Sequence, residues 1–224
     1  MDARTQKPFK CLVVDSEGIG SFEEDQNHDT RIFLLALLLS SFFIFNSVGS
    51  IDEYALQNLY TIVNMAKSIQ IKSGTTNIAG DAIDEDNIDA DELAKFFPTF
   101  MWVVRDFALR LLDDDGNKLT AKTYLENSLR EQSGFSDAVA SKNRIRRMIV
   151  SFFKERDCYT MVRPTEDERD IQRLQDLTNE EMRPEFVQQM EALRAKIFKR
   201  VKPKQINGQI ITGEALLMLC EAYT

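Results

Sequence analysis

Short apolar runs alternate with longer amphipathic segments along the chain. Four of these runs are consecutive apolar, β-branched or aromatic residues, a pattern that indicates buried strands. They are CLVV at 11–14, SFFIF at 41–45, FMWVV at 100–104 and CYTMV at 158–162. Polar residues follow each run, so each predicted strand delivers a polar loop at its carboxyl end.

The segments between these runs predict helices. Residues 31–39 are too densely apolar for a half-exposed strand and indicate a buried helix. Apolar residues that recur every three or four positions predict a helix from residue 51 to just before Gly74. They are Ile51, Ala55, Leu59, Ile62, Ala66 and Ile69. Residues 74–92 are polar and acidic and predict a solvated loop.

Capping signals place the later helices. Thr120 predicts the start of a helix that reaches about residue 130, and another helix is expected over 138–153. Thr178 and Glu181 form a capping-box pattern ahead of an apolar stripe. The stripe consists of Met182, Phe186, Met190, Leu193 and Ile197. A last helix is predicted over 214–223. This alternation of strands and helices indicates an α/β fold with a mainly parallel sheet.

Composition narrows the function classes. The formal net charge is −8, which argues against nucleic acid as the main partner because phosphate binding needs clustered Lys and Arg. Three cysteines lie far apart, so we expect no disulfide framework and interpret each as a small buried hydrophobe. The apolar segment 32–45 is shorter than the roughly 20 residues of a membrane span, and we interpret it as a helix that leads into a strand.

The first candidate site is Asp15-Ser16-Glu17-Gly18, at the end of the first predicted strand. A carboxylate in this position can hold a hydrated Mg²⁺, and the glycine can bring its backbone N–H close to a phosphate. An ordinary turn at the end of a strand explains the same four residues, and the pattern alone leaves both interpretations open.

The second candidate site is Arg105-Asp106, which follows FMWVV. An Asp carboxylate can accept two parallel hydrogen bonds, from the N1–H and the exocyclic amine of guanine. Adenine lacks that pair of donors, so an Asp here would select guanine. A surface Arg–Asp ion pair at a strand end is the alternative interpretation.

Together with their flanks, the two sites resemble the G domain of the guanylate-binding protein family. The resemblance covers residues 11–60 and resumes at 100–129, where Arg105-Asp106 occupies the guanine-recognition motif. It continues through Arg163-Pro164, then 174–190, and then 206–217. The related atlastins share DxEG and Arg-Asp, but LTAKTYLENSL favours guanylate-binding proteins. Val103 replaces the threonine usual in the guanine motif.

The resemblance implies a role for each matching residue. Asp15 would hold Mg²⁺ through water, and Glu17 and Gly18 would belong to the switch beside the terminal phosphate. Asp106 would bind guanine, Arg105 would position it, and Arg163 would lie in the guanine cap. The implied protein is a GTP hydrolase that uses Mg²⁺ with GTP and forms homodimers through its G domain. It would be cytoplasmic, with membrane association of the full-length protein left open.

One motif of that family does not occur in the 224 residues: the P-loop, GxxxxGK[ST]. The expectation is therefore a partial G domain over 1–224, from the DxEG strand through the guanine cap and the final helices. This P-loop GTPase-like fold would lack its first strands and first switch, and it would be inactive as it stands. The alternative is a non-catalytic interaction module that retains the surfaces of a G domain.

Overall fold

A three-stranded parallel sheet forms the centre of the molecule. The computed structural model describes residues 9–16, 26–74, 94, 97–113, 115–206 and 208–223. The strands are β1 (Phe42–Val48), β2 (Thr99–Arg105) and β3 (Arg156–Thr160), with β2 between the other two. Helices connect them, as parallel strands require. The predicted α/β class with a parallel sheet is confirmed.

Seven α-helices with described bounds accompany the sheet. They are α1 (Gln26–Leu39), α2 (Glu53–Gly74), α3 (Ala121–Ser128), α4 (Asp137–Phe152), α5 (Glu168–Ile171), α6 (Pro184–Arg200) and α7 (Gly213–Tyr223). A short hairpin of β4 (Gln205–Ile206) and β5 (Gln209–Ile210) precedes α7. None of these helices combines the length and the hydropathy that a bilayer span requires.

β2 divides the core into two layers, because successive side chains of a strand point to opposite faces. Phe100, Trp102 and Val104 pack with helices α1, α2 and α4 on one face. Met101 and Val103 pack on the other face, against residues of α6. Both faces are therefore covered, which explains why FMWVV is an unbroken apolar run rather than an alternating one.

Most predicted elements are confirmed, with small shifts at their ends. β1 continues past Phe45 to Val48, and β3 begins at Arg156 rather than at Cys158. Thr120 caps α3 as predicted, since its side chain accepts a hydrogen bond from Thr123 N at 3.0 Å. Residues 75–93, which cover most of the predicted solvated loop, lie outside the described residues.

The predicted strand at 11–14 is wrong for this structure. These residues form no strand, and Leu12, Val13 and Val14 are 75%, 81% and 73% exposed. A strand needs a hydrogen-bonded neighbour, and within the described chain β1 pairs with β2 alone. Cys11 is exposed as well, so the prediction of a buried thiol is wrong there and is confirmed for Cys158.

The predicted start of α6 is also wrong. Glu181 does accept hydrogen bonds from Thr178 N and Oγ1, at 2.8 and 2.9 Å, but they stabilise a turn. The helix begins only at Pro184. Proline disfavours helical geometry in the residue before it and is favoured at the first helical position, so Pro184 sets the boundary.

Candidate functional site

The carboxyl ends of the three strands meet at one edge of the sheet. Val48 of β1 lies beside Arg105 of β2, and Val104 lies beside Thr160 of β3. Open α/β sheets bind ligands at this edge, where the connecting loops can approach a ligand with backbone and side-chain groups. The predicted residues Arg105, Asp106 and Arg163 all lie here.

Asp106 has an unusual backbone conformation. Its φ is +54°, in the left-handed region that Asp and Asn tolerate better than other non-glycine residues. The flanking backbone is fixed by both neighbouring connections. Arg105 O accepts a hydrogen bond from Gly49 N at 2.8 Å, and Phe107 N donates to Met161 O at 2.9 Å. The backbone on both sides of Asp106 is therefore held by the sheet.

The Asp106 carboxylate faces Arg163. Asp106 Oδ2 lies 3.9 Å from Arg163 Nε, which is an ion-pair distance but too long for a hydrogen bond. The Asp106 side chain is 31% exposed and that of Arg163 is 57% exposed. Solvent therefore reaches the carboxylate, and its hydrogen-bonding capacity is open to a ligand.

The loop that carries Arg163 is anchored on both sides. Before it, Val162 N donates to Gln189 Oε1 of α6 at 2.8 Å. After it, Pro164 O accepts from Arg183 N at 2.7 Å. The loop backbone is thus fixed against the start of α6, while the Arg163 side chain extends into solvent.

Arg105 contacts β1 rather than its own neighbour in sequence. Its Nε donates to Asn46 Oδ1 at 2.9 Å. Among the described residues, the ion pair of Asp106 is made with Arg163. The alternative interpretation, an ion pair between Arg105 and Asp106, is therefore wrong. Asp106 pairs with Arg163 instead.

Sequence reasoning missed two polar residues at this edge. Asn46 orients Arg105, and Ser47 Oγ accepts a hydrogen bond from the buried indole Nε1 of Trp102 at 2.8 Å. The sequence did contain a signal for them. Both residues come after the apolar run of β1, just as Asp106 comes after the apolar run of β2. The predicted strand stopped at Phe45, which hid that correspondence.

The first candidate site is not brought to this edge by any described contact. Asp15 is exposed and lies in the non-strand segment 9–16. Glu17 and Gly18 lie outside the described residues. No group of three or more His, Cys, Asp or Glu side chains suited to a metal lies within the part of the chain that the structure describes.

Comparison with known proteins decides the family. The family described as guanylate-binding protein, N-terminal domain, matches residues 2–206. The chain belongs to the guanylate-binding protein family. This is a family of large GTPases, and the match covers both candidate sites and the Arg163 loop. The sequence resemblance is thereby confirmed.

Several individual guanylate-binding proteins are similar to the chain, at nearly the same level of sequence identity. It is 37% identical over 221 residues to human guanylate-binding protein 1 and 36% identical over 220 residues to human guanylate-binding protein 4. Mouse guanylate-binding protein 7 is 34% identical over 217 residues. These alignments cover 96–97% of the chain but 33–36% of the relatives. The chain therefore spans about a third of their length.

Proposed function

We propose that residues 1–224 form the guanine-binding part of a guanylate-binding protein G domain, with Asp106 as the acceptor that selects the base. One observation carries this proposal. Asp106 is a partly exposed carboxylate that directly follows the central strand, and backbone hydrogen bonds on both sides fix it at the ligand-binding edge. A fixed acceptor loses little freedom when a ligand binds, which favours affinity.

The chemistry of guanine fits this acceptor. The two oxygens of a carboxylate can accept in parallel from guanine N1–H and the exocyclic amine, and charge-assisted bonds of this kind are the stronger class. Adenine offers no such pair. Arg163 supplies a planar guanidinium beside the same carboxylate, and guanidinium groups stack on aromatic rings. Arg163 would therefore cap the base, while Arg105, held by Asn46, maintains the geometry around Asp106.

The phosphate end of the nucleotide is assigned to the first candidate site. Asp15 would hold Mg²⁺ through water, with Glu17 and Gly18 in the switch beside the terminal phosphate. The exposed carboxylate of Asp15 fits this role, since Mg²⁺ in nucleotide sites keeps several waters and takes one or two carboxylates together with phosphate oxygens. When bound, the ion would neutralise phosphate charge.

The reaction of the whole protein would be GTP hydrolysis, with homodimer formation through the G domain in a cytoplasmic setting. Hydrolysis depends on positioning and on neutralising phosphate charge, and a P-loop supplies both through its backbone N–H groups and its lysine. The 224 residues contain no GxxxxGK[ST]. We therefore expect little or no turnover from these residues alone.

A non-catalytic interaction module is the second candidate function. The exposed apolar run at 11–14 favours it, because such a run can pack against a partner. The genomic DNA upstream of Met1 discriminates between the two. A GxxxxGK[ST]-coding segment there supports the hydrolase, and its absence supports the module.

The test of base selection is Asp106→Asn in a chain with a family P-loop segment joined ahead of Met1. Asn keeps the side-chain shape and tolerates the left-handed backbone, so the change isolates the charge and the acceptor. We expect GTP affinity to fall by about 1.5–3 kcal/mol. Affinity for XTP should rise, because xanthine presents a carbonyl where guanine has its amine and the Asn amide can donate to it.

The matched control is Asp115→Asn, the same substitution at an exposed turn residue. It should leave both affinities unchanged in a fluorescent-nucleotide competition assay. Equal affinity of the unsubstituted protein for GTP and ATP would contradict the role of Asp106.

A further inference from the structure

A polar cleft lies at the opposite end of the sheet from Asp106. Its volume is about 470 Å³, and Thr99 and Arg156, the first residues of β2 and β3, lie in its wall. The seven residues of β2 span roughly 20 Å at 3.3 Å per residue. The cleft is therefore separate from the proposed guanine site.

The lining of the cleft is mainly cationic. The charged side chains come from helix α3, the segment that leads into β3, the first residue of β3 and the last residue of α6. Four are basic and two are acidic: Lys122, Lys154, Arg156 and Arg200, with Glu126 and Glu155. The whole chain carries a net charge of −8. The charge of this region is therefore opposite in sign to that of the chain as a whole. A region of concentrated positive charge attracts anions.

Both acidic side chains are already engaged by protein groups. Glu126 Oε2 accepts from Arg156 Nη2 at 2.7 Å. Both carboxylate oxygens of Glu155 accept from Lys202 Nζ at 3.0 Å, and Oε2 also accepts from Thr99 Oγ1 at 3.1 Å. Arg200 in turn is paired with Asp157. With these ion pairs counted, the basic side chains around the cleft still outnumber the acidic ones.

Two of the basic groups retain capacity for a ligand. Lys122 is exposed and makes no ion pair with the described residues. Arg156 Nε is buried and has no hydrogen-bond partner in the described part of the chain. Its other guanidinium nitrogens are held by Phe153 O at 3.0 Å and by Glu126. Each of these two nitrogens carries a second N–H, and an anion oxygen at the Arg156 wall can accept from it.

We propose that this cleft binds a small soluble anion with two or more phosphate groups. Arginine presents a planar fork that matches phosphate oxygens, and lysine adds mobile point charges around it. The volume lies in the range of small-molecule sites. A cleft of this size admits a compact anion, whereas an extended anionic surface such as a membrane cannot enter it.

The test is an NMR titration of the ¹⁵N-labelled 224-residue chain with inorganic pyrophosphate at constant ionic strength. We expect saturable shifts of the Arg156 Nε–H resonance and of the amides around Lys122 and Lys154. Lys122→Gln and Lys154→Gln should each weaken binding about five-fold, since each removes one exposed charge contact. Arg156 is left intact because its loss would disturb β3.

Two controls separate this site from other sources of binding. Lys118→Gln, at an exposed lysine outside the cleft, should leave pyrophosphate affinity unchanged. Asp106→Asn should also leave it unchanged, and that result would make the site independent of the proposed guanine site.

Three outcomes would overturn the proposal. They are no saturable shift at millimolar pyrophosphate, equal shifts with sulfate at the same ionic strength, and unchanged affinity in the Lys122→Gln, Lys154→Gln double variant. Binding to vesicles that contain a phosphoinositide, without binding to free pyrophosphate, would likewise contradict a small soluble ligand.

Discussion

The ion pair between Glu53 and Arg146 joins the start of α2 to α4. The Arg146 side chain is 5% exposed, and its guanidinium donates to both carboxylate oxygens of Glu53. It also donates to Ser128 O and to Lys142 O, each at 3.2 Å. Glu53→Gln removes the only carboxylate among these acceptors and turns an amide NH₂ toward a guanidinium that has no acceptor to offer it.

The expected loss is about 2 kcal/mol of unfolding free energy. Breaking a buried ion pair costs about 3–5 kcal/mol when the remaining charge stays dry. The Glu53 side chain is 40% exposed, so in the variant water can partly solvate the Arg146 guanidinium from that side. This solvation reduces the free-energy cost of losing the pair toward the value of a single hydrogen bond to a charged group. The carbonyl groups of Ser128 and Lys142 still hold the guanidinium in place.

The assay is urea unfolding at neutral pH, followed by the fluorescence of Trp102, the one tryptophan in the chain. The matched control is Glu131→Gln. Glu131 pairs with Arg147, next to Arg146 on α4, but both partners are more than half exposed. This control should lose about 0.5 kcal/mol or less. A loss in Glu53→Gln no larger than in Glu131→Gln would refute the reasoning.

The pH dependence gives an independent measurement. The hydrogen bond from Arg146 lowers the pKa of the Glu53 carboxyl below its ordinary 4.5. The contribution of the pair to stability is therefore fully present above pH 4.5 and is lost as the pH falls through the lower folded-state value. The gap between the unsubstituted chain and Glu53→Gln should close in that acid range. A gap that stays constant would contradict the assignment.

Three further predictions concern activity, the β1–β2 contact and the thiols. The purified chain with GTP and Mg²⁺ should release phosphate no faster than a blank, and a family P-loop segment joined ahead of it should restore turnover; robust turnover without that segment would contradict the proposed role of the loop. Ser47→Ala should cost about 1–3 kcal/mol because it leaves the buried Trp102 N–H without its acceptor; an unchanged urea midpoint would count against that hydrogen bond. Iodoacetamide should label Cys11 in the folded chain and Cys158 only after unfolding, since burial raises the pKa of the Cys158 thiol to about 12; mass spectrometry of the labelled peptides decides this.

Local sequence patterns predicted the strands and helices whose neighbours lie within the described chain. FMWVV could be identified as a buried strand because helices cover both of its faces and its residues are therefore all apolar. The period of α2 showed which side of that helix is buried. The threonine that caps α3 could also be predicted from the sequence, because it accepts a hydrogen bond from a backbone N–H only three residues away.

Features that depend on distant partners could not be predicted in this way. CLVV has the composition of a buried strand, but a strand forms only where another strand supplies hydrogen bonds, and composition does not show whether one is there. At the candidate site the sequence identified Asp106, Arg105 and Arg163 individually. The ion pair of Asp106 with Arg163 and the contact of Arg105 with Asn46 arise from the register of the sheet.

The parallel order of the sheet has a consequence for how the chain folds. The Ser47–Trp102 hydrogen bond joins residues 55 positions apart, and the Thr99–Glu155 hydrogen bond joins residues 56 positions apart. Each strand pairing must therefore close a long loop before any contact compensates for the lost chain entropy, and such topologies fold slowly. Until closure, the aromatic runs of β1 and β2 stay open to other chains, so dilute, slow refolding should give more native protein than rapid refolding at high concentration.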